Sequence, residues 1–194
     1  LEIFDLIKTM PSTKLANFVF RNNKDLTFSD YTKTWGLDKP ILSFGAVYVD
    51  LDNDGDLDLV TNNTNEKESI WENHANELLK NNYIKVKLHG KGKNTYAVGA
   101  KVYVFSDNTQ QVQEMNPTRG FQSCVDYVLN FGLGAESRNI NLKIIWPDGT
   151  VSLISNAAVN SLVEVDQVTT SKLAQDRNML KKENLFHFKT PKKF

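Results

Sequence analysis

Residues 43–61 read SFGAVYVDLDNDGDLDLVT: an apolar run, nine residues in which every second one is an aspartate, and a second apolar run. Asp50, Asp52, Asp54, Asp56 and Asp58 take loop positions 1, 3, 5, 7 and 9. Calcium is a hard cation that takes about six to eight oxygens at roughly 2.3–2.6 Å, and alternate residues of a curled loop aim their oxygens inward. Gly55 at position 6 supplies the sharp turn, since glycine visits positive φ without steric cost. By this chemistry Asp50, Asp52, Asp54 and Asp58 are expected to bind Ca2+ through their side chains, and Asp56 through its backbone carbonyl. Without a cation the five carboxylates repel one another along the whole loop. An EF-hand is excluded, because position 12 is Thr61 where a bidentate glutamate is required, and strand-like sequence flanks the loop instead of helix.

Outward from the loop, short segments rich in Val, Ile, Tyr and Phe recur between turn residues. Strands are expected at Phe18–Phe20, Ala46–Val49, Leu57–Thr61, Tyr83–Leu88, Ala100–Phe105, Gln111–Met115, Tyr127–Phe131, Leu142–Trp146, Val151–Ile154 and Leu162–Val165. Helical periodicity fits three places: Ile3–Thr9, Glu72–Lys80 and Ser171–Lys182. The pattern is mainly β. At 194 residues the chain has room for two compact units, each able to bury a core of its own. No apolar run approaches the roughly 18 residues that cross a bilayer, so no membrane insertion is expected within this segment.

The net charge of zero hides a division. From Lys172 onward seven basic residues face two acidic ones, a tail of +5, and the 16 basic and 21 acidic residues before it make a body of −5. Such a body has no broad basic surface for phosphates, so no nucleic acid partner is expected for it; RNA is conceivable for the tail alone. The single cysteine, Cys124, excludes an internal disulfide and reads as a small buried residue in or beside a strand. The chain starts at Leu1 without a signal-like segment and reads as a mature form or an excised fragment.

A short internal repeat pairs Phe18-Val19-Phe20-Arg21-Asn22 with Ser69-Ile70-Trp71-Glu72-Asn73, 51 residues apart, which suits the roughly 40–50 residues of a propeller blade. Phe44-Gly45-Ala46, the aspartate loop and the lead-in NFVFRNNKDLTFSDYTKTWGL together resemble an FG-GAP or VCBS repeat, the calcium-loop blade of integrin-type β-propellers, over about residues 17–73. The length allows one blade and part of another, so the resemblance implies that neighbouring blades of the same parent chain complete the propeller.

Residues 83–166 resemble the ASPIC/UnbV domain that follows such repeats in extracellular proteins. The matching stretches are Gly99-Ala100-Lys101-Val102, Gly120-Phe121-Gln122-Ser123, Phe131-Gly132-Leu133-Gly134 and Trp146-Pro147-Asp148-Gly149. Read without the family, Pro147-Asp148-Gly149 is turn chemistry for a hairpin, and Gly90-Lys91-Gly92-Lys93 is a solvated hairpin tip rather than a P-loop. The expected architecture is therefore mainly β. A repeat region with a calcium loop spans 1–80, a β-sandwich-like ASPIC/UnbV domain spans 81–167, and a basic linker or the start of a further module spans 168–194.

Catalytic patterns are weak. His74, His89 and His187 form no metal-ligand spacing, Ser123 beside Cys124 lacks a nucleophile elbow, and carboxylates committed to calcium are not free to exchange protons. Trp35, Tyr96, Phe121 and Tyr127 lie near expected loops; core packing is the favoured role for each, with stacking on a ligand as the alternative. The sequence thus points to a non-catalytic, calcium-binding adhesion module, with a protein or glycan ligand at the cell surface. Its location is expected to be extracellular, on the cell surface or in the periplasm. The alternatives are an accessory part of a polysaccharide-degrading enzyme and a structural spacer between propellers.

Overall fold

The computed structural model describes residues 3–9, 13–106, 109–135 and 138–167. Along these the order is α1 (Ile3–Lys8), β1 (Phe20–Asn22), β2 (Phe28–Asp30), β3 (Ser43–Val49), β4 (Asp58–Asn63), β5 (Ser69–Trp71) and α2 (Ala75–Leu79). Then follow β6 (Asn82–His89), β7 (Lys101–Phe105), β8 (Gln110–Glu114), β9 (Val128–Gly134), β10 (Asn141–Ile145), β11 (Val151–Ile154) and β12 (Leu162–Asp166). The chain is mainly β, as its sequence indicates. All ten expected strand segments coincide with strands, the first through Phe20 alone. Strands β2 and β5 are additional: at three residues each they are too short to show a period, and pairing with β1 and β4 makes them strands. The expected helix at Ser171–Lys182, with all of 168–194, lies outside the described residues.

The second half is a two-layer sandwich. One sheet has the order β11-β10-β7-β8 and the other β12-β6-β9, in which β12 runs parallel to β6. Alternation in the sequence dictates which side chains meet between the layers, since successive residues of a strand face opposite ways. In β6, Ile84, Val86 and Leu88 turn inward and are buried, while Tyr83, Lys85 and Lys87 turn outward. Leu129, Phe131 and Leu133 of β9, Val102 and Val104 of β7, and Leu142 and Ile144 of β10 close the same core. Full burial of each such side chain is worth about 1.5–3 kcal/mol. Trp146, just after β10, is the largest buried side chain, and its indole N–H donates to Ser152 Oγ at 2.8 Å. The Pro147-Asp148-Gly149 turn joins β10 to β11 as a hairpin, closed by Trp146 N–H to Thr150 O at 2.9 Å. Gly90-Lys91-Gly92-Lys93 is not a hairpin tip: β6 and β7 belong to different sheets, and the segment turns the chain from one layer to the other.

The first half is built differently. It consists of the hairpin β1-β2 and the antiparallel sheet β3-β4-β5. Two separate cores were a fair expectation from length, but among the described residues before Lys80 only Ile41 is a buried hydrophobic, and the buried cluster lies wholly in the sandwich. Phe18, Phe20, Phe28, Tyr48 and Ile70 are exposed. A single three-stranded layer has no second layer to bury its apolar side chains against.

Candidate metal centre

The aspartate loop links β3 to β4. These strands pair from Val49↔Asp58 back to Ser43↔Asn63, so Asp50 and Asp58 stand at the mouth of a hairpin whose tip is the loop. Gly55 sits at the turn with φ of +95°, where a side chain would be strained. The loop is threaded by its own carboxylates: Asp50 Oδ2 accepts from Gly55 N–H at 3.2 Å, Asp52 Oδ1 from Asp54 N–H at 3.2 Å, and Asp54 Oδ1 from Asp56 N–H at 2.9 Å.

Asp50, Asp52 and Asp54 each offer an oxygen, and these three oxygens lie within 4.8 Å of one another. Two oxygens sharing one calcium ion at 2.3–2.6 Å are at most about 5 Å apart, so the trio has the right span. Asp50 Oδ1 is moreover buried and without a hydrogen-bond partner among the described residues. An unpaired buried carboxylate oxygen is costly, and a cation removes that cost. The donor set therefore fits a hard divalent ion.

The Asp58 side chain, expected as a ligand, stands outside that cluster, and so does the side chain of Asp56, whose expected ligand atom is its backbone carbonyl. The Asp58 side chain is buried, accepting from Leu51 N–H through Oδ2 and from Asn73 N–H through Oδ1, both at 2.9 Å. It acts as a clasp that ties the loop to the residues after β5. Asp56 Oδ2 accepts from Asn76 N–H at 3.0 Å, and its Oδ1 is buried without a hydrogen-bond partner among the described residues. Burial raises the Asp56 pKa above the ordinary carboxylate value; the Asn76 bond opposes this, and Asp54, Asp58 and Asp52 push it up further. Asn76 Nδ2 donates to Asp54 O at 2.7 Å, so the first turn of α2 holds the back of the loop.

Three further groups come from the sandwich, and the sequence reading did not include them. Lys85 on β6 donates its ammonium to Asp50 Oδ2 at 2.7 Å, with side chains only 12% and 7% exposed respectively. Asn130, paired with Lys85 across β6 and β9, donates from Nδ2 to Gly55 O at 2.8 Å. The Tyr83 ring lies where a Cβ on Gly55 would fall. Tyr83, Lys85 and Asn130 all stand on the outer face of the β12-β6-β9 sheet, which thereby docks on the loop. Alternation in β6 identifies that face, but nothing in the sequence says what covers it. A second contact joins the halves at Gly45, where a Cβ would press on Ser123 Oγ at 2.9 Å and Phe121 O at 3.2 Å. Phe44 and Phe121 meet edge to face there, with centroids 5.0 Å apart.

Between the halves lies a cavity of about 570 Å³ whose walls include Asp50, Asn53, Lys85, Arg119 and Asp126. Arg119 Nε is buried without a hydrogen-bond partner among the described residues. The other candidates fall elsewhere. His89 Nε2 lies 2.8 Å from Glu164 Oε2 on the sandwich surface, and His74 Nδ1 lies 3.4 Å from Glu77 Oε2; among the described residues neither joins the aspartate cluster. His187 is outside the described residues. Cys124 is exposed, opposite Thr118 in an isolated bridge, because the segment 118–124 is an irregular surface loop and not a core strand. Trp35, Tyr96, Phe121 and Tyr127 are likewise exposed, which overturns core packing as their role. Tyr96 and Tyr127 stack on each other with centroids 4.0 Å apart.

Among the described residues no helix is long and apolar enough to cross a membrane. No curated protein matches the chain. Residues 5–61 match the FG-GAP-like repeat family, and residues 90–172 match the family described as ASPIC and UnbV. The aspartate loop falls inside the first match and the sandwich makes up most of the second, so the chain carries an FG-GAP-like repeat followed by an ASPIC and UnbV domain, an architecture of extracellular type.

Proposed function

We propose that the chain is a calcium-stabilised, non-catalytic binding module that works outside the cytoplasm. The observation that carries this reading is the trio Asp50, Asp52 and Asp54, with the partnerless Oδ1 of Asp50 among them. These three side chains hold the ion, while Asp56 and Asp58 shape the loop through their bonds to Asn76, Leu51 and Asn73. When bound, the ion neutralises carboxylates that otherwise repel. Extracellular calcium modules have Kd values of roughly 10⁻⁴–10⁻³ M, so such a loop fills outside the cell and empties in cytosol.

The ligand is a protein or glycan at the cell surface. The exposed Tyr96–Tyr127 stack supplies flat apolar faces, and Arg119 in the cavity between the halves supplies a guanidinium for an acidic group. The uncovered apolar side chains of β1, β2 and β5 support neighbouring propeller blades as a second partner.

Raising calcium from chelated to about 10 mM is expected to lift the melting temperature by about 3–10 °C, through mass action on the folded state. Scanning calorimetry with and without chelator measures this, and coincident melts would rule out calcium stabilisation. Incubation with a glycan panel separates the roles: retention without product supports a binding module, and product release supports an accessory enzyme part instead.

A further inference from the structure

Lys85 belongs to the sandwich, yet its ammonium sits on the first aspartate of the repeat's loop. Oδ2 of Asp50 receives both Lys85 Nζ at 2.7 Å and Gly55 N–H at 3.2 Å, while Oδ1 of the same carboxylate is left free. Nζ also stands 3.4 Å from Asn53 Oδ1 and 6.0 Å from the centre of the Tyr83 ring. These partners are the acceptors of the loop and the aromatic face that covers it. We propose that Lys85 is the loop's built-in counter-cation: it docks the sandwich on the metal-free loop and weakens calcium binding there. This inference rests on the calcium reading above.

Two opposing effects decide the sign. A hydrogen bond that orients a ligating carboxylate typically strengthens metal affinity by about 10–100-fold, and its removal would weaken binding. Against this, Lys85 holds a unit positive charge one carboxylate's width from the ion, in surroundings where both partners are nearly dry. Repulsion between a divalent and a monovalent cation at that range exceeds the orienting effect even at an effective dielectric constant of about 20. Asp50 also keeps its bond from Gly55 N–H when Lys85 is removed, so part of its orientation survives. Repulsion therefore prevails. The loop then trades one cation for another: Lys85 from the adjoining domain when calcium is scarce, and calcium at the cost of a loosened Lys85 contact when it is abundant.

The test uses the full chain, with calcium itself as the probe. Lys85→Met retains the apolar stem and removes the charge. In chelator it is expected to melt lower than the parent, while titration calorimetry shows calcium binding at least about tenfold tighter, a change of about 1.4 kcal/mol. Lys85→Arg keeps the charge and is expected to stay within about twofold of the parent. Unchanged or weaker binding by Lys85→Met, with the parent binding normally, overturns the role of Lys85 and leaves the calcium reading intact. A parent that takes up no calcium at millimolar levels overturns both. Should Lys85→Met not fold, NMR of the lysine ammonium groups in the parent decides the matter. Saturating calcium is expected to shift the Lys85 Nζ resonance and speed its proton exchange, and an unmoved resonance overturns the proposal.

Discussion

Asp50→Ala is expected to abolish calcium uptake and, independently of the metal, to destabilise the fold by about 3–5 kcal/mol. The second effect follows from Lys85. Its side chain is only 12% exposed and reaches the loop through Asp50, so truncating Asp50 leaves a buried ammonium with no carboxylate, facing only Asn53 Oδ1 and the Tyr83 ring among the described residues. Removing one member of a buried ion pair costs far more than the pair itself contributes, because the survivor stays desolvated. Urea unfolding in chelator isolates this cost from calcium loss. Asp52→Ala is the control, since among the described residues Asp52 accepts only from Asp54 N–H and carries no such pair. It should reduce calcium affinity with about 1 kcal/mol or less of metal-free destabilisation. Equal metal-free stability of the two variants would sink the account of the Lys85–Asp50 link.

Trp146→Ala is expected to cost about 3–5 kcal/mol, the range for emptying a large aromatic site in a close-packed core. Trp146 is 1% exposed, and its indole N–H leaves Ser152 Oγ when it goes. Both layers of the sandwich feel the cavity, because the cluster it belongs to draws on β6, β7, β9 and β10 alike. Guanidinium unfolding measures the loss. Fluorescence gives a second reading, since Trp35 is exposed and Trp71 half-buried, so the bluest emission belongs to Trp146 and should vanish first. A variant that unfolds at the parent's midpoint would show that the sandwich core is not where this domain's stability resides.

Much of the fold was open to reading because strands announce themselves locally. Ile84-Lys85-Val86-Lys87-Leu88 alternates by type, and alternation is what a half-buried strand requires, so β6 and its inward face were legible. The same holds for Leu142–Ile145 and the turn after Trp146. Strands β2 and β5 escaped because three residues carry no period. The roles of Trp35, Tyr96, Phe121, Tyr127 and Cys124 were misjudged because hydrophobicity states a preference for burial, while the fold decides which stretches run as surface loops, and all five residues lie outside the strands.

At the candidate metal centre, the sequence by itself determined the loop: five aspartates at alternate positions around Gly55, between two strands that must pair. Those features are set within nine residues, where covalent spacing dictates geometry. Only the tertiary structure decided that three of the five gather their oxygens while Asp58 turns to Leu51 and Asn73, and that Lys85 and Asn130 reach the loop from the sandwich. The separation of 35 positions between Asp50 and Lys85 imposes no distance that local rules can foresee. Their meeting depends on which face of one sheet packs on the tip of another, and that choice is settled by the summed burial and hydrogen bonding of the whole chain rather than by any stretch of it.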